Sequence, residues 1–437
     1  MSTIVTILLF KALSTQDFSI WANIYSAIFL TLLWLDFGFK KSLPRYCPQF
    51  ILGTKSMYTF IKRVVLFQAT TLILFTPIFL LVSQYVTRAC NITDKINLFY
   101  LGCLLFLSEG VIAVIRLIYH SYFWQKQFNS LMSILVILKS LIIIFFIFVT
   151  SHSFSLVTII FITEIISALI AIVISIIMLK VSLGSVKEEI SSHSKTITQK
   201  NLGKAFVFHS AIMWINNNVK SLSERNFMML FFTHLLGPLQ ANLFKLANDC
   251  ALLFQRIIVK TIGTTDTSLL SHIEISHKNK TYMPHAFENL IKSISFLFVP
   301  LIGILFPLLI YFNNIFKNQF VFMLFFLLTI CYLIETILHP YERLLEVKRK
   351  YMLLFISYSP YVLTLTLLLL FHATIYKNII FLLTFIYVSR IGSYLIMLYI
   401  TRKKYGIVFP IKPVSKTLTA SLLLCLTIYF ALKMLYP

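Results

Sequence analysis

Twelve mainly apolar stretches, each about 20 residues long, recur along this chain, and no other feature limits its fold so tightly. In hydrocarbon every backbone N–H and C=O must find its partner within the span, which leaves only helices and closed barrels. About 20 apolar residues is the length an α-helix needs to cross a bilayer. A barrel would show short alternating segments instead, and none is present. The predicted spans are Ile20–Phe39, Val64–Val86, Leu98–Tyr119, Phe128–Val149, Phe154–Leu179, Phe206–Phe232, Leu239–Ile262, Ile294–Phe312, Phe320–His339, Tyr351–Phe371, Ile379–Ile400 and Leu418–Leu435. Thr3–Ala12 is apolar but only half a span, and reads as a short first helix. The expectation is an all-α polytopic membrane protein of about 12–13 transmembrane helices.

Charge placement orients these spans. The chain is only 12% charged but carries a net charge of +23. On a soluble protein that excess would suggest nucleic acid. Here the basic residues fill alternate gaps, 23 on one side against 6 on the other. By the positive-inside rule the richer set is cytoplasmic. The outer gaps are about a dozen residues at most, so these residues contain no extramembrane catalytic domain. A Ser/His/Asp arrangement, a Gly-rich phosphate loop and a Walker motif are all missing, which argues against an enzyme and against ATP hydrolysis by these residues. The six cysteines form no metal-binding spacing. Trp21, Trp124 and Tyr376 read as interfacial belt anchors.

Domain organisation follows from an internal echo. LSTQDFSIWANIYSA from Leu13 is answered by LLGPLQANLFKLANDCA from Leu235, and the segment ending at Pro77 by that ending at Pro307. Glu109 and Arg116 are answered by Glu335 and Arg343, so the offset stays near about 225–230 residues. Parallel repeats of this kind build transporters. The predicted division is an N-terminal bundle at 1–180, a Ser/Lys-rich cytoplasmic linker at 181–203, a C-terminal bundle at 204–402 and an additional helix at 415–437. Residues 264–289 read as an amphipathic helix at the interface.

Ionisable residues inside the spans mark candidate function, because each costs about 2.5–3.5 kcal/mol on insertion scales unless partnered. Lys245 and Asp249, four apart on one helix, can pair. Lys139 lies in a run of Leu and Ile with no acidic residue nearby in sequence. WINNNVKSLSERNF, Trp214 to Phe227, is polar through what reads as the middle of one helix. Interior cations outnumber anions nine to six, which suits an anionic substrate, and pyrophosphate matches converging Lys and Arg. The substrate candidates are Lys139, Lys220, Arg225, Lys245 and Arg256, with Arg116 and Arg390 as second choices; Asn216, Asn217 and Asn218 could bond sugar hydroxyls. Asp36, Glu109 and Asp249 are the candidate coupling or gating groups.

LSTQDFSIWANIYSAIFLTLLWLDFGFKKSLPRY, Leu13 to Tyr46, resembles the start of bacterial polysaccharide flippases of the O-antigen (Wzx) type. In them a D-x-G-x motif, here Asp36-Phe37-Gly38-Phe39, leads into a basic loop with an Arg-Tyr pair, here Arg45-Tyr46. Leu235 to Phe254 resembles the eighth helix of that family. The family belongs to the MATE-like MOP superfamily, and the resemblance implies two six-helix bundles and a cationic central cavity. It also implies the bacterial inner membrane and an undecaprenyl-pyrophosphate-linked oligosaccharide as substrate. No cofactor is implied beyond H+ or Na+ coupling; the implied partners are membrane lipid, a polysaccharide polymerase and a chain-length regulator, and no nucleic acid. A short first helix and an extra last one depart from the family pattern. Three alternatives stay open: a cation-coupled drug exporter, a lipid II flippase and a polytopic O-antigen polymerase.

Overall fold

The computed structural model describes residues 3–47, 55–89, 96–122, 124–149, 153–189, 202–253, 282–297, 299, 302–303, 307, 319–348, 350–371 and 379–435. Regular structure in them is helical: α1 (Thr3–Ala12), α2 (Thr15–Trp34), α3 (Phe39–Tyr46), α4 (Lys55–Ala89), α5 (Ile96–Ser121), α6 (Gln125–Val149), α7 (Ser153–Glu189), α8 (Leu202–Ser221) and α9 (Arg225–Leu236). They continue with α10 (238–253), α11 (Tyr282–Phe296), α12 (Gln319–Val347), α13 (Tyr351–Leu370), α14 (Ile379–Tyr405) and α15 (Ile411–Leu435). Among the described residues nine stretches are long and apolar enough to cross a membrane, in α2, α4 to α7 and α12 to α15. The chain is therefore an all-helical multi-pass membrane protein.

Three predicted spans fare differently. Phe206–Phe232 is not one helix but two, α8 and α9, with a turn between them. Leu239–Ile262 is helical through 253, and its remainder lies outside the described residues. Most of Ile294–Phe312 lies outside them as well. So does the predicted interfacial segment up to 281; from Tyr282 it is already α11. α2 stops at Trp34, five residues before the predicted end at Phe39, and residues 35–38 form a turn. α7 continues to Glu189, into the stretch predicted as a linker, and 190–201 lie outside the described residues.

By contact density the chain divides into two compact units, Met1–Asn242 and Leu243–Pro437. In the first, α2 is the central helix. Ser14 caps it: its Oγ accepts the Asp17 N–H at 3.1 Å and donates to the Asp17 carboxylate at 2.6 Å. That closes the first turn and sets a negative charge at the helix N-terminus. From Asp17 through Ser26 every residue of α2 is buried, so it has no lipid face there. α2 packs on α4, α5, α7, α8 and α9. Trp21, predicted as a belt anchor, is instead 1% exposed and packs between Phe18 and Tyr25. Residues 204–242, which the sequence assigned to the C-terminal bundle, belong to this unit, where α8 lies on α2 and α3 and α9 on α2.

In the second unit α12, α13 and α14 pack mutually, and α11 lies on α12 and α15. Phe287, Leu290, Ile291 and Ile294 form the buried stripe of α11 at i, i+3, i+4 and i+7. Lys292 on its exposed face pairs with Glu288 at 2.8 Å. α15 is mostly exposed and apolar, as a lipid-facing helix is.

Candidate functional site

The α8–α9 break is built by side chains that compete with the helix. Ser221 Oγ donates to Asn218 O and Ser223 Oγ to Lys220 O, both at 2.7 Å. Ser223 N–H donates to Lys220 O at 2.9 Å, and Glu224 N–H to Ser221 O at 3.0 Å, tightening the last turn. Glu224 then turns extended (φ −80°, ψ 154°) and α9 starts at Arg225. Lys220 and Arg225 thus sit on either side of a break, and not on one continuous helix as the sequence reading had it. Asn216, Asn217 and Asn218 occupy the last turns of α8, with Asn216 buried and the other two half-buried. Among the described residues, the buried Oδ1 atoms of Asn218 and of Asn226 have no hydrogen-bond partner.

Beside the break lies a cavity of about 360 Å³. Its walls come from Trp34 and Phe37 at the end of α2, Phe75 of α4, and Trp214, Asn218 and Leu222 at the end of α8. The two indoles are pinned. Trp214 Nε1 donates to Trp34 O at 2.6 Å, and Trp34 Nε1 donates to Ser221 Oγ at 3.1 Å. Phe37 stacks on Trp214 with ring centroids 6.0 Å apart. The turn that delivers Phe37 is left-handed at two successive residues, Phe37 (φ 47°) and Gly38 (φ 73°). At Gly38 the α8 backbone comes so close that a Cβ would lie 2.4 Å from Ser210 O and 2.8 Å from Trp214 N. Only glycine meets both demands.

Charge gathers below this turn, beyond the end of the α2 span. Burial pushes the Asp36 carboxyl up to about 6, against the pull of Lys40, Lys41 and Arg116. Lys40 is pulled below the usual ammonium range, first by desolvation and next by the charge of Arg116, while Asp36 and Glu224 oppose the shift. Asp36, Lys40, Arg116 and Glu224 therefore act on one another across the α2–α3 turn, α5 and the start of α9. Arg116 also lies over the Phe128 ring at 5.4 Å.

Three other predicted cations are ion-paired: Lys139, Lys245 and Arg390. Lys139, which has no acidic residue near it in sequence, is bonded to Glu164 of α7, 25 residues away. Glu109 lies in the field of that pair and of Arg116. In the second unit Lys245 and Asp249 pair at 3.6 Å and are buried, as their spacing suggested. Arg390 Nε pairs with Glu335 Oε1 at 2.6 Å and stands over the rings of Tyr332 and Tyr387. Tyr387 donates to Tyr332 OH at 3.0 Å, and Tyr332 donates to Asn248 Oδ1. Arg256 lies outside the described residues.

Of the predicted residues, then, Asn216, Asn217, Asn218, Lys220 and Arg225 lie at the break, and Asp36 and Arg116 lie in the field of Lys40, as Glu224 does. The sequence reading missed Trp34, Phe75 and Trp214. The Asp36-Phe37-Gly38 motif was the available signal, since a glycine just past an apolar run marks a left-handed helix end. Among the described residues no group of His, Cys, Asp and Glu could hold a metal ion. No family model, curated protein or solved structure matches this chain.

Proposed function

We propose that the chain is a transporter and not an enzyme. In this reading it is a flippase that moves an undecaprenyl-pyrophosphate-linked oligosaccharide across the bacterial inner membrane by alternating access. Two six-helix bundles related by an internal repeat carry the motion, and the product feeds O-antigen or another surface polysaccharide. The observation that carries the reading is the break between α8 and α9 at Ser221–Glu224, with Lys220, Arg225 and three asparagines within two turns of it. Transporters place substrate sites at discontinuous helices because the freed backbone groups and half-helix ends can meet ionic groups of the cargo. Lys220 and Arg225 supply charge for a pyrophosphate, and the amides of Asn216 to Asn218 supply donors and acceptors for sugar hydroxyls. In this reading Lys139 and Arg390, bonded to carboxylates of other helices, hold helices together, and Lys245 is paired within its own helix, so none of the three is assigned to substrate.

The test is surface polysaccharide in a deletion strain complemented with wild type or with Lys220→Ala plus Arg225→Ala. Deletion is expected to abolish surface polysaccharide while single lipid-linked repeat units accumulate on the cytoplasmic face. The double variant is expected not to complement at equal expression. Repeat units that reach the outer face but stay unpolymerised would refute the flippase reading in favour of a polymerase.

A further inference from the structure

We propose that the cytoplasmic end of α4 binds an anionic phospholipid, with Lys62 and Arg63 forking its phosphate and the exposed apolar stripe beyond them seating its acyl chains. This lipid belongs to the surrounding leaflet and is not cargo, so the inference stands apart from the transport reading.

Charge selects the headgroup. α3, α4 and α8 contain no Asp or Glu. Lys62 and Arg63 are exposed, and among the described residues their side chains make no ion pair or hydrogen bond. They lie on the side that the basic gaps mark as cytoplasmic, where the negative surface potential of the leaflet attracts Lys and Arg. Two adjacent cations with no carboxylate on their own helix suit a phosphate, which accepts from both.

The rest of the helix face selects a lipid over a soluble acidic partner. Leu66 follows Lys62 by four residues and Arg63 by three, so it stands between them one turn further into the span Met57–Leu81. From Leu66 to Leu81 the exposed side chains of α4 are apolar except Thr70. That stripe rises about 22 Å, against about 15 Å for half of the hydrocarbon core, so an acyl chain meets apolar side chains over its full length. Tyr58, one turn before Lys62, is exposed, as tyrosines at headgroup level are. A water-soluble acidic surface would match the two cations but not the change from basic to apolar within one turn. α8 marks the same depth independently. Its exposed Lys204 is followed by exposed Val207 and Phe208, and Phe60 of α4 meets Phe206 of α8 with ring centroids 4.8 Å apart. Counted from that contact at about 1.5 Å per residue, for helices that both enter from this side, the cations of α4 and α8 lie within about 6–8 Å of each other in depth. That is about the thickness of one headgroup layer.

The experiment titrates phosphatidylglycerol into the full-length protein in detergent and counts bound lipid by native mass spectrometry. The competitors are phosphatidylethanolamine with the same acyl chains, which lacks the net charge, and inorganic phosphate, which lacks the chains. Lys62→Gln plus Arg63→Gln removes the fork, and Leu66→Gln makes the stripe polar at its start. Lys403→Gln plus Lys404→Gln, at the exposed end of α14, removes the same charge elsewhere. Thermal unfolding checks that each variant is folded. The expected result is saturable phosphatidylglycerol binding that neither competitor displaces. The fork variant should weaken it by about tenfold or more, Leu66→Gln should weaken it less, and the α14 variant should leave it unchanged. Equal competition by phosphatidylethanolamine would reduce the stripe to an unselective acyl surface, and displacement by phosphate would make the fork a free-anion site; either overturns the proposal. So does wild-type affinity in the folded fork variant, or an equal loss in the α14 variant, which would mean a diffuse field of charge. Failure of the complementation test would sink the transport reading and leave this lipid site standing.

Discussion

Replacing Gly38 by alanine tests the central packing claim about the first unit. The residue sits at φ 73°, where an L side chain costs about 1–2 kcal/mol. The added Cβ would stand 2.4 Å from Ser210 O, 2.8 Å from Trp214 N and 2.9 Å from Met213 Cβ. Two of these are backbone atoms of α8, so no side-chain rotation relieves the overlap. α3 and α8 must separate, and overpacking of that kind costs about 1–3 kcal/mol more. The total is about 2–5 kcal/mol. The stacks of Phe39 on Phe206 and of Phe37 on Trp214 span the same interface and should loosen with it. Unfolding by SDS titration in mixed micelles reads the loss. Gly237→Ala is the control: its φ is 86°, but nothing lies within 4 Å of the added Cβ, so it should show only the backbone cost. Wild-type stability in the Gly38 variant would refute the reasoning. So would rescue by Trp214→Ala, because that change leaves the clashing backbone nitrogen in place.

Further outcomes can be set beside this one. Asp36 has its folded pKa raised from 3.8 to about 6, so ionising it opposes folding; that penalty is full above about pH 6 and fades as pH falls towards 3.8. The shift bounds the effect at about 3 kcal/mol, and the half-buried position lowers it, so Asp36→Asn should stabilise at pH 7.5 by about 1–2 kcal/mol and by almost nothing at pH 4. A pH-independent gain in SDS unfolding would remove Asp36 as its source. Lys139→Met should destabilise by about 3–5 kcal/mol because it strands the Glu164 carboxylate, and Lys139→Met with Glu164→Gln should recover most of that. If the double variant folds well but does not complement the deletion strain, Lys139 meets substrate after all. Glu335→Gln should likewise strand Arg390 and lower the unfolding midpoint, with recovery on adding Arg390→Met.

What the sequence revealed and what it concealed have separate physical causes. Nine spans were legible because a run of about 20 apolar residues has few other fates. The pair Lys245–Asp249 was legible because both ends share one helix turn. Lys139–Glu164 and Arg390–Glu335 were not, because each joins residues 25 and 55 positions apart on different helices. The α8–α9 break was hidden for another reason. WINNNVKSLSERNF contains neither Pro nor Gly, and each of its residues is tolerated in a helix. The break comes from Ser221 and Ser223 bonding back to the carbonyls of α8, reinforced by the Trp34 indole, 187 residues away. The Ser-x-Ser-Glu run was the local hint, since these residue types serve caps better than helix interiors. The aromatic cavity draws on three helices, and no one of them announces it.

The broken helix also bears on how the protein is made. α8 and α9 are absent from the nine stretches long and apolar enough to cross a membrane, because the break leaves pieces of 20 and 12 residues, the longer of them polar towards its end. A translocon that sorts segments by hydrophobicity would have little reason to release this pair into lipid unaided. α2, emerging about 190 residues earlier, offers what is missing: the Trp34 indole for Ser221 and the Asn23 amide oxygen for Thr233. Biogenesis of this segment would then depend on an earlier helix being held beside the channel, and deleting α2 should send α8 and α9 to the wrong side of the membrane.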